Sequence, residues 1–236
     1  MRKNLLCVAA TVAIVFAAGA ARAADTLIYS METGTATNPD GFGPNAGGTT
    51  SQDTIGATDG LHSLKYTVPA GATFTGALTG SVPGILNNPP GVGHVTFDMT
   101  IAQGDTFTGG FAVLGITMFG IGPGPSFGLQ AQFSPLIHID GKAPGTYKDL
   151  QIPLIGATNQ VDFTPNQTFN QIFGSGPNQQ TPSGLEFFIN KSNDAPATVY
   201  IDNVRIGGNI PEPATCTLLA IGAAVAMMGF RRRRSR

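Results

Sequence analysis

The chain has no tryptophan in its 236 residues, so any surface that stacks rings on a ligand must rely on its 15 phenylalanines and four tyrosines. Its two cysteines, Cys7 and Cys216, fall in the two terminal segments, which leaves the body without a disulfide or a thiolate metal site. Charge is scarce, at 11% of residues, and unevenly placed. Of 13 Lys and Arg, eight lie in the ends, leaving Lys65, Lys142, Lys148, Lys191 and Arg205 between Ala24 and Pro213 against 14 Asp and Glu, a net of −9. A binder of nucleic acid or anionic lipid carries the opposite balance. His62, His94 and His138 are isolated, with none of the spacings of a zinc site, and no G-x-S-x-G elbow or phosphate-cradling glycine loop occurs.

Sustained 3.6-residue periodicity is also missing outside the ends. What recurs instead is alternation of period two, punctuated by 32 glycines and 17 prolines, which predicts an all-β chain of about nine to eleven short strands, a β-sandwich or a barrel. Thr26–Glu32 opens the series. A Gly-, Asn- and Thr-rich run follows to Gly60 and is expected to be loop, with Phe42 as the one ring placed where it is exposed. The clearest alternation runs from His94 to Ile101, where Val95, Phe97, Met99 and Ile101 share one face while Asp98 falls on the solvated one. Phe111–Phe119 is apolar on both faces and reads as a central strand. Leu185–Asn190 and Thr198–Ile206 close the body, with Glu186 pointing outward from the first of these.

Asp202 stands out in the last strand. Uninterrupted alternation places it with Tyr200, Val204 and Ile206 on the core face, where a bare carboxylate is too costly to persist. Glu32 closes the first strand and offers a second carboxylate. With carbonyls from the glycine-rich loop the two would make a hard oxygen site suited to Ca2+, which could pin a domain that has no disulfides. A structural role, with Asp202 accepting backbone amides and Glu32 solvated, remains the alternative. A glycosidase needs two carboxylates at a set separation, and nothing pairs Asp98, Asp140 or Glu186 by spacing, so the chain reads as non-catalytic.

The ends carry targeting signals. Arg2 and Lys3, the apolar run Leu5–Ala18 and the Ala21-Arg22-Ala23 site make residues 1–23 a signal peptide that signal peptidase would remove. Residues 24–208 are the β-domain, 209–213 a linker with Pro211-Glu212-Pro213, and 214–236 a hydrophobic helix followed by Arg231, Arg232, Arg233 and Arg234. The helix is about 25 Å long, enough for a transient membrane span with the arginines on the cytoplasmic side.

In that order, Pro211-Glu212-Pro213, apolar helix and arginine cluster resemble the PEP-CTERM sorting signal of exported bacterial proteins. The resemblance covers about 26 residues and implies an exosortase-type transpeptidase as partner. It also implies transient anchoring in the inner membrane and delivery to the envelope or extracellular matrix. A second resemblance spans the body. The first strand ending in Glu32, then Asp40-Gly41-Phe42, Asp59-Gly60-Leu61-His62-Ser63-Leu64 and Tyr200-Ile201-Asp202-Asn203-Val204-Arg205, is similar to jelly-roll domains of the galactose-binding-like and carbohydrate-binding-module type. It implies an antiparallel sandwich with a structural calcium at Glu32, backbone oxygens near Thr58 and Gly60, and Asp202. Two roles follow, a matrix component with no dedicated ligand and a module that binds an extracellular polysaccharide.

Overall fold

In a computed structural model, the described residues are 25–80, 82, 86, 92–107, 110–121, 129–154, 158–159, 169–173, 179–192 and 195–208. Contacts divide the chain into Asp25–Asn209, which carries the fold, and the two ends, which lie outside the described residues. The elements run β1 Thr26–Tyr29, β2 Gly34–Thr35, β3 Asn38–Pro39, β4 Phe42–Asn45, β5 Thr49–Asp53, β6 Ser63–Val68, β7 Phe74–Thr79 and β8 Val92–Ile101. They continue with β9 Ala112–Ile121, β10 Leu129–Gln132, β11 Ile137–His138, β12 Gly145–Pro153, β13 Thr158–Asn159, α1 Phe169–Ile172, β14 Thr181–Lys191 and β15 Ala197–Gly208.

Two antiparallel sheets make a sandwich of jelly-roll type. The first has the order β12-β8-β15-β6-β5 with β1 added along β15, and the second the order β13-β10-β9-β14-β7-β4 with β11 added along β9. Side chains alternate across each strand, so the core collects Val95, Phe97 and Met99 from β8, Leu114, Ile116 and Met118 from β9, and Leu185, Phe187 and Ile189 from β14. Phe97 of the first sheet meets Phe187 of the second edge to face, with ring centroids 5.2 Å apart, and Phe187 lies 5.8 Å from Phe42.

Phe42 therefore corrects one expectation: it is fully buried, because its glycine-rich surroundings form β4 and pair with β7 in the register Phe42↔Thr79. The last strand corrects another. β15 shifts register between Asp202 and Arg205, and Asn203 sits at φ 52°, the left-handed region that Asn tolerates better than most residues. This bulge reverses the alternation. Val199 and Ile201 before it and Val204 and Ile206 after it all reach the core, while Asp202 turns to the outer face of the first sheet.

The membrane expectations are corrected as well. No helix among the described residues is long and apolar enough to cross a membrane, which overturns the transmembrane helix and the inner-membrane anchoring built on it. The helix α1 has four residues, about 6 Å of rise against roughly 30 Å of hydrocarbon. The signal peptide over 1–23, the helix placed at 214–236, Pro211, Glu212, Pro213 and Arg231, Arg232, Arg233 and Arg234 lie outside the described residues.

Candidate functional site

Two places on the sandwich gather polar chemistry. The first follows from how β15 is shared. Its residues up to Ile201 pair with β6, and those from Val204 onward pair with β1. The end of β1 and the start of β6 therefore meet beside the bulge at Asp202, and the loop 54–62 leading into β6 is drawn over the sheet there. It packs closely on the sheet at Gly56, where φ is +80° and a Cβ would lie 2.6 Å from that of Tyr200.

Asp202 and Glu32 hold this loop from two sides. The Thr58 and Asp59 amides donate to Asp202 Oδ2 at 2.6 and 2.9 Å. The Leu61 and His62 amides donate to Glu32 Oε1, each at 2.7 Å, and the His62 ring lies 3.0 Å from Oε2. Gly60 is required beneath the glutamate: its φ is +92°, and a Cβ would fall 2.4 Å from Glu32 Oε1. The four residues singled out from sequence, Glu32, Thr58, Gly60 and Asp202, thus occupy one neighbourhood. The His62 amide is the main influence on Glu32, holding its carboxyl below the usual range.

The sequence missed a fifth member. Register places Asp98 of β8 directly opposite Asp202, and the loop covers both, so Asp98 is 3% exposed and not solvated. The Thr58 hydroxyl has one proton to give and two carboxylates in reach, Asp98 Oδ2 at 2.6 Å and Asp202 Oδ2 at 3.1 Å. Asp98 also accepts from the Asp149 amide at 2.8 Å and from Asn203 Nδ2 at 3.2 Å. Burial pushes the Asp98 carboxyl upward, but those donors and Arg205 outweigh it and hold the group below its usual range. For Asp202 the balance reverses: burial dominates the amides and raises it. Asp202 Oδ1 is buried and has no hydrogen-bond partner, an acceptor left open where one is expensive to leave. Among the described residues no three His, Cys, Asp or Glu converge as a metal-binding group.

The second place is the outer face of the second sheet. Alternation turns Glu186, Phe188 and Asn190 of β14 away from the core, and the register sets Leu78 and Thr117 beside Glu186, with Gln132 beyond Thr117. Glycines lower the floor of this face. A Cβ at Gly76 would lie 1.8 Å from Glu186 Oε1, and one at Gly115 would lie 2.3 Å from Phe188 Cζ. The Glu186 side chain accordingly reaches over Gly76 to the edge strand, where Asn45 Nδ2 donates to Oε1 at 2.6 Å. Glu186 is 2% exposed, and burial raises its carboxyl, with Asn45 opposing. Phe188 is covered by Phe74, whose ring stacks on it at 5.2 Å and is itself 47% exposed. The sequence showed Glu186 pointing outward, but not the burial that makes it unusual.

No family model matches the chain, and no curated protein matches it. Solved structures do. The solution structure of CtCBM11 is 13% identical, with a TM-score of 0.50 over 81% of this chain and 99% of that one. The CBM22-1 xylan-binding domain from Paenibacillus barcinonensis Xyn10C is 17% identical, with a TM-score of 0.48 over 80% of this chain and 97% of that one. The family 11 carbohydrate-binding module of Clostridium thermocellum Lic26A-Cel5E is 13% identical, with a TM-score of 0.49 over 80% and 96%. At such identities the likeness is one of fold, the β-sandwich of jelly-roll type.

Proposed function

We propose that the sandwich is a non-catalytic carbohydrate-binding module that takes a polysaccharide on the outer face of its second sheet. The observation that carries this reading is the make-up of that face. A glycine-lowered floor is bordered by the half-buried amides of Asn45, Gln132 and Asn190, beside a phenylalanine pair whose outer ring, Phe74, offers an open face. Amides and hydroxyls pair with sugar hydroxyls, and an aromatic ring packs on the apolar face of a pyranose. Phe74→Ala is expected to weaken binding to any soluble polysaccharide that the chain retains by about tenfold or more in affinity electrophoresis, the cost of a lost ring platform. A glycan panel on which the chain retains nothing would leave the matrix-component role as the better reading.

A structural Ca2+ at the loop 54–62 belongs to the same proposal. The unpartnered, buried Oδ1 of Asp202 fits a hard cation. Glu32 is already engaged by two amides and His62, so a cation there would draw on Asp202 and on backbone oxygens near Thr58 and Gly60 more than on a pair of free carboxylates. Such an ion would fix the loop against β15 and would take no part in sugar recognition. Adding EDTA is expected to lower the melting temperature by several degrees and excess Ca2+ to restore it, because a ligand of the folded state alone stabilises by mass action. An EDTA-insensitive melt with no bound metal by elemental analysis would remove the ion and leave Asp202 as a purely structural acceptor.

Processing by a signal peptidase and an exosortase-type transpeptidase rests on the sequence of the two ends alone, and the binding proposal does not depend on it.

A further inference from the structure

Glu186 is hard to account for as a structural residue. A carboxylate on the outer face of a sheet is ordinarily solvated, whereas this one is held flat against the floor at 2% exposure. Gly76 makes room for it, and among the described residues Asn45, at 2.6 Å, steadies it. The neighbours that the register sets along its row, Leu78, Thr117 and Gln132, are uncharged. At the margin of this side His138 of β11, 71% exposed, is paired with Asp140. None of the described side chains that alternate onto this face from β4, β7, β9, β10 or β14 is Lys or Arg. A charge set in a low-dielectric floor is weakly screened and acts on whatever lies above it more strongly than a surface carboxylate does.

We infer that this face selects neutral polysaccharides and rejects polyanions, with Glu186 as the residue that sets the discrimination. The inference rests on the binding reading above and adds the ligand's charge class. Hydroxyl-rich neutral chains meet amides and a ring on this face and carry no charge for Glu186 to oppose. A uronate or sulfate ester on this face would lie over a buried carboxylate, with no Lys or Arg among the described side chains of the face to neutralise it. The surplus of acidic groups in the body acts in the same direction at long range, so the test must separate one buried charge from the overall field.

Affinity electrophoresis of the full chain at pH 8.5 would compare soluble xylan and β-glucan, each unmodified and after chemical sulfation. The wild type is expected to bind at least one neutral polymer about tenfold or more tightly than its sulfated form, and Glu186→Gln is expected to reduce that ratio to about threefold or less. Asp105→Asn removes one charge from a group that accepts the Tyr200 hydroxyl on the other sheet, and should leave the ratio where it was. Should Glu186→Gln fail to fold, Gln132→Lys adds a cation to the same row and is expected to shift the ratio the same way. Neutral binding with equal retention of the sulfated polymer, or a ratio that neither variant moves, would overturn the charge inference and leave the binding reading standing. Binding of no polymer at all would overturn the binding reading and this inference together.

Discussion

Asp202→Ala is expected to lower the melting temperature of the sandwich by about 6 to 12 °C. The truncation strips the acceptor from the Thr58 and Asp59 amides and from the Thr58 hydroxyl, all of which point at Oδ2. Leaving such donors unpaired under a loop costs about 3 kcal/mol in total once the loop has partly relaxed, and a domain of this size loses about 2 to 4 °C per kcal/mol. Asp202→Asn separates the hydrogen bonds from the charge. Its amide oxygen can take the place of Oδ2 and keep both backbone donors, while its NH2 falls where Oδ1 has no partner. The asparagine variant should therefore melt close to the wild type yet lose any response to EDTA. Its pH dependence has a definite sign. Burial raises the folded-state pKa of Asp202, so the wild type is favoured at low pH and loses that advantage as pH rises through the raised value. Without Ca2+, the melting temperature of Asp202→Asn should gain on the wild type as pH is raised from 4 to 8. A constant difference across that range would mean that the carboxylate is not strained by its burial.

How far the sequence could lead is clearest at this same residue. Alternation within a single strand is a local property, and it correctly gave the core faces of β8 and β14, including the outward direction of Glu186. It failed in β15 because it presumes an unbroken strand, and the bulge after Asp202 reverses the parity. The one local signal was Asn203, a residue suited to positive φ in the middle of a strand rich in β-branched residues. Asp98 was out of reach for a different reason. Its pairing opposite Asp202 depends on cross-strand register and its burial on a loop 40 residues away in sequence, and neither leaves a trace in spacing. Phe42 was misread because glycine-rich composition says that a chain turns easily but not that it then pairs with an edge. The likeness to jelly-roll domains succeeded where periodicity could not, separating sandwich from barrel through features at the two ends of the body.

The glycines of the second sheet supply the sharpest remaining test. Gly76→Ala is expected to cost about 2 kcal/mol of stability and to weaken polysaccharide binding about tenfold or more. The backbone at Gly76 is not in the left-handed region, and the three heavy atoms nearest the new methyl all belong to one side chain. It would lie 1.8 Å from Oε1, 2.3 Å from the carboxyl carbon and 2.7 Å from Cγ of Glu186. A carboxylate so displaced must leave Asn45 and rise into the trough that the polymer would occupy, adding bulk as well as charge. If that is the cause, shortening the neighbour should undo it: Gly76→Ala combined with Glu186→Ala should be more stable than the sum of the two single changes allows, because the clash exists only when both groups are present. Simple additivity, with binding lost in Gly76→Ala and not regained in the double variant, would show that the glycine serves the sheet itself and that Glu186 does not lie where sugar recognition takes place.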